Sequence, residues 1–169
     1  MASIKDQLIK HIENKLPNSL KNHIYRSCKV GQTLCDIHNI DSEKAEIALL
    51  GHDLYRAYSD DEMLLAAKQK EIEVSNVEKV TPLLLHGLLA SITIQEEYKV
   101  TDNQIINSIK YHTCGAGEMD EVFMTVFLAD KLDPNKIKKN NLLEPIQDMA
   151  LKNLQNATLM YLNQQISSI

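Results

Sequence analysis

Residues 18–38 read NSLKNHIYRSCKVGQTLCDIH. Leu20, Ile24, Cys28, Gly31, Leu34 and Cys35 recur at three- and four-residue steps, which lays one apolar stripe along an α-helix and leaves His23 at its edge. Pro17 stands just before this helix, and Ser3 can cap an earlier one running to about Lys15. Downstream the same signals repeat. Asp41 opens a helix that carries Ala45, Ala48 and Leu49 toward Gly51, His52 and Asp53, where the pattern turns irregular as at a helix C-terminus. Ser59 with Glu62 makes a capping box for a helix to about Lys70, and Thr81 with Pro82 starts one to about Tyr98. Thr101 with Gln104 opens a helix that reaches His112, and Cys114 to Gly117 forms a loop. Val122, Val126, Ala129 and Leu132 mark an apolar helix ended by Pro134, followed by a polar, basic connector over 136–141. Ile146, Ala150, Leu154, Ala157 and Tyr161 define a last helix over about 142–168. No stretch alternates as a strand does. The expected fold is all-α, a compact multi-helix single domain over 1–169 with its functional core at about 18–140.

Composition narrows the function. The 169 residues are 44% hydrophobic with five Gly and four Pro, enough for one sizeable core. Lys and Arg total 18 against 23 Asp and Glu, a net charge of -5 that gives no drive toward nucleic acid or an anionic membrane, so neither is an expected partner. No apolar run approaches the roughly 20 residues of a membrane span. The N-terminus mixes charge into every turn, and the three cysteines are odd in number without a CxxC pair. A cytoplasmic location is therefore expected, with Cys28 and Cys35 as small buried hydrophobes.

The chemistry lies in the histidines. His11 and His38 are ordinary, but His23, the doublet His52-Asp53, His86, His112 and Asp130 sit beside apolar positions or at helix ends. Burying such groups is costly unless each is hydrogen-bonded or a divalent metal satisfies several at once. Adjacent helical residues point about 100° apart, so His52 and Asp53 converge on one ion only at a helix end. Histidine and carboxylate ligands suit iron, manganese or zinc in a catalytic site, which argues for hydrolysis. Arg56 has a solvated-surface alternative, whereas the lysines at 136, 138 and 139 form a charge run of the kind that is usually a wet loop, and Tyr111 reads as core packing. The Gly115 to Gly117 turn lacks the Lys-Ser or Lys-Thr ending of a phosphate-binding P-loop.

GHDLYR at 51–56, LLLHG at 83–87, IKYHTCG at 109–115 and LADKLDP at 128–134 follow His23 in a fixed order. Together they resemble the HD-superfamily metal-dependent phosphohydrolases, and within them the YqeK-type symmetrical bis(5'-nucleosyl)-tetraphosphatase family, over roughly residues 18–162. The resemblance implies an HD-domain fold with one metal ion, iron in the family, on His23, His52, Asp53 and Asp130; a second ion stays open. It implies substrate contacts at His23, Asp53, Leu54, Tyr55, Arg56, His86, His112, Thr113, Asp130 and Lys136, with Asp53, His86 and His112 as catalytic groups. Lys136 stands where the family has Arg, which keeps the charge but loses the planar fork for phosphate. The implied reaction is attack of a metal-activated water on diadenosine tetraphosphate to give two ADP. An HD-type nucleotidase, a guanosine polyphosphate hydrolase and a nucleotide sensor without turnover are the alternatives. The expected partner is thus a small nucleotide; a homodimer stays open.

Overall fold

The computed structural model describes residues 2–167. Among these residues the chain forms eleven α-helices and two short 3-10 turns, with no strand, as the periodicity predicts. Helix α1 (Ile4–Lys15) starts on Ser3, whose side chain closes a capping box with Asp6. Helix α2 (Asn18–His38) ends on Asn39 in the left-handed conformation (φ 56°), and α3 (Ser42–Gly51) is capped by Asp41. Helix α4 (Asp60–Gln69) is followed by α5 (Asn76–Val80), a 3-10 turn at Pro82–Leu85, and α6 (His86–Glu96). Then come α7 (Asn103–Tyr111), α8 (Glu121–Lys131), α9 (Pro134–Lys139), a 3-10 turn at Asn141–Leu143, α10 (Glu144–Ala150) and α11 (Leu154–Ser167).

Several boundaries depart from the sequence expectation, each for a local reason. Ser75 and Glu78 close a capping box around α5, which the periodicity did not suggest because none of its residues is buried. Thr81 makes no cap bond, and the helix after it begins as a 3-10 turn. Asp102 rather than Thr101 caps α7, its carboxylate accepting from the Gln104 and Ile105 amides. The supposed connector over 136–141 is mostly α9: Asp133 caps it and Pro134 fills the first helical position, so that proline starts a helix instead of merely ending one. The last helix is two helices. Met149, Ala150 and Leu154 keep helical spacing, but the chain turns at 151–153 and Asn153 caps α11 by accepting from the Asn156 amide (2.8 Å). Residue 168, the expected end of that helix, lies outside the described residues.

The main core joins Leu8 and Ile12 of α1, Ile24 of α2, Ala48, Leu49 and Leu50 of α3, Ile94 of α6, Ile109 of α7 and Val126 of α8. Fully burying one such side chain stabilises by roughly 1.5–3 kcal/mol. A second cluster packs Phe123, Phe127 and Leu128 of α8 against Ile146, Ala150, Leu154 and Ala157 of α10 and α11. A third, smaller one sets Met63 and Ala67 of α4 on Leu85 and Leu89. Helices α3 and α8 are thus buried on most sides, and their C-terminal ends carry His52 and Asp130 into the interior. Among the described residues no helix is long and apolar enough to cross a membrane.

Candidate metal centre

His52 caps the end of α3 and His112 the end of α7, while His86 opens α6 directly after the 3-10 turn. Each ring is anchored in the same way. Nδ1 of His52 donates to the Leu49 carbonyl (2.7 Å), that of His86 to Leu83 (2.5 Å) and that of His112 to Ile109 (2.8 Å). In every case the acceptor lies three residues earlier, in the turn that the histidine closes. A carbonyl only accepts, so Nδ1 holds the proton and Nε2 presents a bare lone pair. His23, inside α2, turns Nδ1 to a carboxylate instead, donating to Asp133 Oδ2 (2.6 Å).

The four Nε2 atoms converge on Asp53 and Asp130. His23 Nε2 lies 3.0 Å from Asp130 Oδ1 and 3.7 Å from Asp53 Oδ2; His52 Nε2 lies 3.4 Å from Asp53 Oδ2 and 3.9 Å from Asp130 Oδ1. His86 and His112 face the other oxygen of Asp53, at 3.4 and 3.6 Å, and each other at 3.0 Å. The Thr113 hydroxyl sits 3.4 and 3.3 Å from that last pair of nitrogens. His52 Nε2 is fully buried with no hydrogen-bond partner. A lone pair aimed at carboxylates in a closed interior asks for a cation, so the donor set fits a divalent metal. Among the described residues two triples lie close enough to hold an ion, His23 with His52 and Asp130, and His52 with Asp53 and His112. The C-terminal ends of α3 and α7 add their negative dipoles.

Protonation follows the same electrostatics. Burial alone would discharge His52, but Asp53 and Asp130 pull it above its ordinary value. Burial works against the charge on Asp53, yet His52, His112 and His86 hold its carboxyl well below the usual range. Asp130 is likewise held down against burial by Lys131, His23 and Lys136. His112 is pushed down to about 4, chiefly by burial.

Two cavities flank the cluster. An open one of about 390 Å³ is lined by Pro17, Ser19, Leu20, His23, Asp53, Arg56, Ala57 and Lys136. A narrower one of about 170 Å³ runs past Thr81, Leu83, His86, His112, Thr113 and Lys131, and shares Asp53, Arg56 and Lys136 with the first. Of the residues singled out in the sequence, His23, His52, Asp53, His86, His112, Thr113 and Asp130 are brought together, with Arg56 and Lys136 at the junction of the cavities. Lys136 Nζ reaches Asp130 Oδ1 (2.6 Å). Leu54 and Tyr55 are not brought there: Leu54 is buried in the main core, and the Tyr55 hydroxyl bonds to Thr93 (2.9 Å). Sequence reasoning missed Lys131, which pairs with Asp130 Oδ2 (2.7 Å), and the Asp133–Arg26 pair behind His23. The Asp-Pro signal of a helix start was the available clue to Asp133.

The HD domain family matches residues 20–135. The chain is 28% identical over 138 residues to a symmetrical bis(5'-nucleosyl)-tetraphosphatase from Staphylococcus aureus, covering 82% of this chain and 70% of that protein. It is 26% identical over 136 residues to the Bacillus subtilis protein of the same name, covering 80% and 68%. Its fold is similar to the crystal structure of a predicted HD superfamily hydrolase involved in NAD metabolism from Clostridium acetobutylicum, with a TM-score of 0.86 at 25% identity over 96% of this chain and 85% of that one.

Proposed function

The chain belongs to the HD domain family, and from that premise we propose that it is a metal-dependent hydrolase cutting diadenosine tetraphosphate symmetrically into two ADP. What carries this reading is the position of the cluster, at the junction of two cavities that share Asp53, Arg56 and Lys136. A dinucleotide cut at its centre needs room on both sides of the reacting bond. The names borne by the Staphylococcus aureus and Bacillus subtilis relatives supply the substrate. The HD domain, as one unit with its core at about 18–140, provides the site.

His23, His52, Asp53 and Asp130 would hold the metal, with iron our choice of ion. A divalent ion there supplies a water of pKa near 7 and polarises a phosphoryl oxygen. The chain's own groups do the rest. Asp53, facing all four rings, is placed to accept a hydrogen bond from the attacking water and orient it. Arg56 and Lys136 supply positive charge at the cavity junction, where the tetraphosphate crosses from one lobe to the other. His86 and His112 face the narrow lobe and would donate to the phosphoryl oxygens once they have taken up a proton. The three cysteines are free thiols, with burial raising Cys28 to about 12 and Cys35 to about 11, in keeping with a reducing cytoplasm.

Metal analysis joined to a substrate screen tests the reading. The protein should bind a divalent ion, and diadenosine tetraphosphate should be turned over faster than guanosine polyphosphates or nucleoside monophosphates. His52→Ala should remove most metal and activity with helix content unchanged. A fully active, metal-free wild type would overturn the centre, and preferred turnover of a monophosphate would change the substrate.

A further inference from the structure

Three of the four converging histidines lean on a backbone carbonyl; His23 alone leans on a carboxylate. The reason is its place in the fold. His23 lies inside α2, where the carbonyls of the preceding turn are committed to the helix, so its Nδ1 proton needs a partner from elsewhere. Asp133, at the start of α9, provides it. That carboxylate is 1% exposed and fully engaged: Oδ2 accepts from His23 Nδ1 (2.6 Å) and from the Arg26 terminal nitrogen (2.9 Å), while Oδ1 accepts from Arg26 Nε (2.7 Å) and the Asn135 amide (2.9 Å). Arg26 lies one helical turn after His23 on α2, so a single planar fork fixes the carboxylate against the ring it supports. An anionic acceptor leaves more electron density on the far nitrogen than a carbonyl does, and so makes Nε2 a stronger ligand.

We propose that Asp133, held in place by Arg26, is the positioning residue of the centre, setting the tautomer, aim and donor strength of His23 and through them the affinity for the metal. The inference rests on the metal reading given above. Asp133 lines neither cavity, and its carboxylate meets the cluster through His23. Its second task, capping α9, belongs to the fold and is served equally by Asn.

Cobalt(II), read by visible absorption and chelator competition, is the probe. Asp133→Ala should weaken cobalt binding about 10- to 100-fold, the usual effect of losing such a support. Asp133→Asn keeps the cap and an acceptor oxygen but loses the charge, and should weaken binding about three- to tenfold while still folding, with the thermal midpoint lowered by only about 2–8 °C. It carries the test if the Ala variant does not fold. In a His23→Ala background the Asp133 substitution should change affinity less than about twofold, because the two act as one unit. Unchanged cobalt affinity in both Asp133 variants, or the same loss with and without His23, would overturn the inference while leaving the metal reading intact. A wild-type protein that binds no cobalt would overturn the metal reading and this inference with it.

Discussion

His86 Nε2 lies 3.0 Å from His112 Nε2, and both rings have already given their Nδ1 protons to backbone carbonyls. Two lone pairs at that distance repel unless a proton or another cation lies between them. Burial keeps His112 neutral near pH 7, its value pushed down to about 4. On the proposed mechanism His112 takes up a proton only when a polyphosphate enters the narrow cavity, and donates it to the developing charge.

His112→Ala should accordingly keep the wild-type metal content and lose at least about tenfold in activity, the roughly 2–4 kcal/mol of one oxyanion contact corresponding to about 30- to 1000-fold. Elemental analysis beside initial rates checks it. Loss of one of two ions per chain would instead assign the pair to a dinuclear centre with Asp53.

The meeting of those two rings depends on Gly87. A Cβ there would stand 2.8 Å from the Lys110 carbonyl, 3.0 Å from that of Ile109 and 3.3 Å from His112 Nδ1. The first two are backbone atoms that cannot swing aside, so Gly87→Ala must push α6 off the end of α7. The expected cost is about 1–3 kcal/mol in denaturant unfolding, with a drop in activity as the rings separate. Wild-type stability and rate in this variant would show that the close approach is not needed.

Asp133 makes acid stability a readout of the site's support. Burial pushes its carboxyl up, but Arg26 and His23 outweigh this and hold it at about 2. Because the folded value lies below the ordinary one of about 3.9, the stabilisation is complete above about pH 5 and is lost as pH falls through 4 toward 2. Asp133→Asn should be less stable than wild type by about 1–2 kcal/mol at neutral pH, with the gap closing as the medium is acidified. Urea midpoints measured from pH 7 to 3 would reveal it, and a gap independent of pH would contradict the assignment.

Much of this was legible in the sequence, and the failures have physical causes. His23, His52, Asp53 and Asp130 stood out because an ionisable residue among apolar neighbours needs a partner, and the structure brings all four together. Asp133 and Arg26 did not stand out. They contact each other across 107 positions and serve a ligand rather than the ion, so no local pattern links them. Leu54 and Tyr55 enter through the family resemblance, which places substrate contacts from Asp53 to Arg56, yet the chain turns after His52 and carries their side chains into packing. The break between α10 and α11 was invisible to hydrophobic spacing, since apolar residues face the same core on both sides; only Asn153 signals it.

Hydrolysis of diadenosine tetraphosphate in ¹⁸O-labelled water, with products resolved by chromatography and mass, bears most directly on the central claim. Symmetric attack of a water held at Asp53 predicts ADP as the sole nucleotide product, with one ADP of each pair carrying a single ¹⁸O on its terminal phosphate. Equal amounts of ATP and AMP, or no turnover of the dinucleotide by metal-loaded protein, would contradict it.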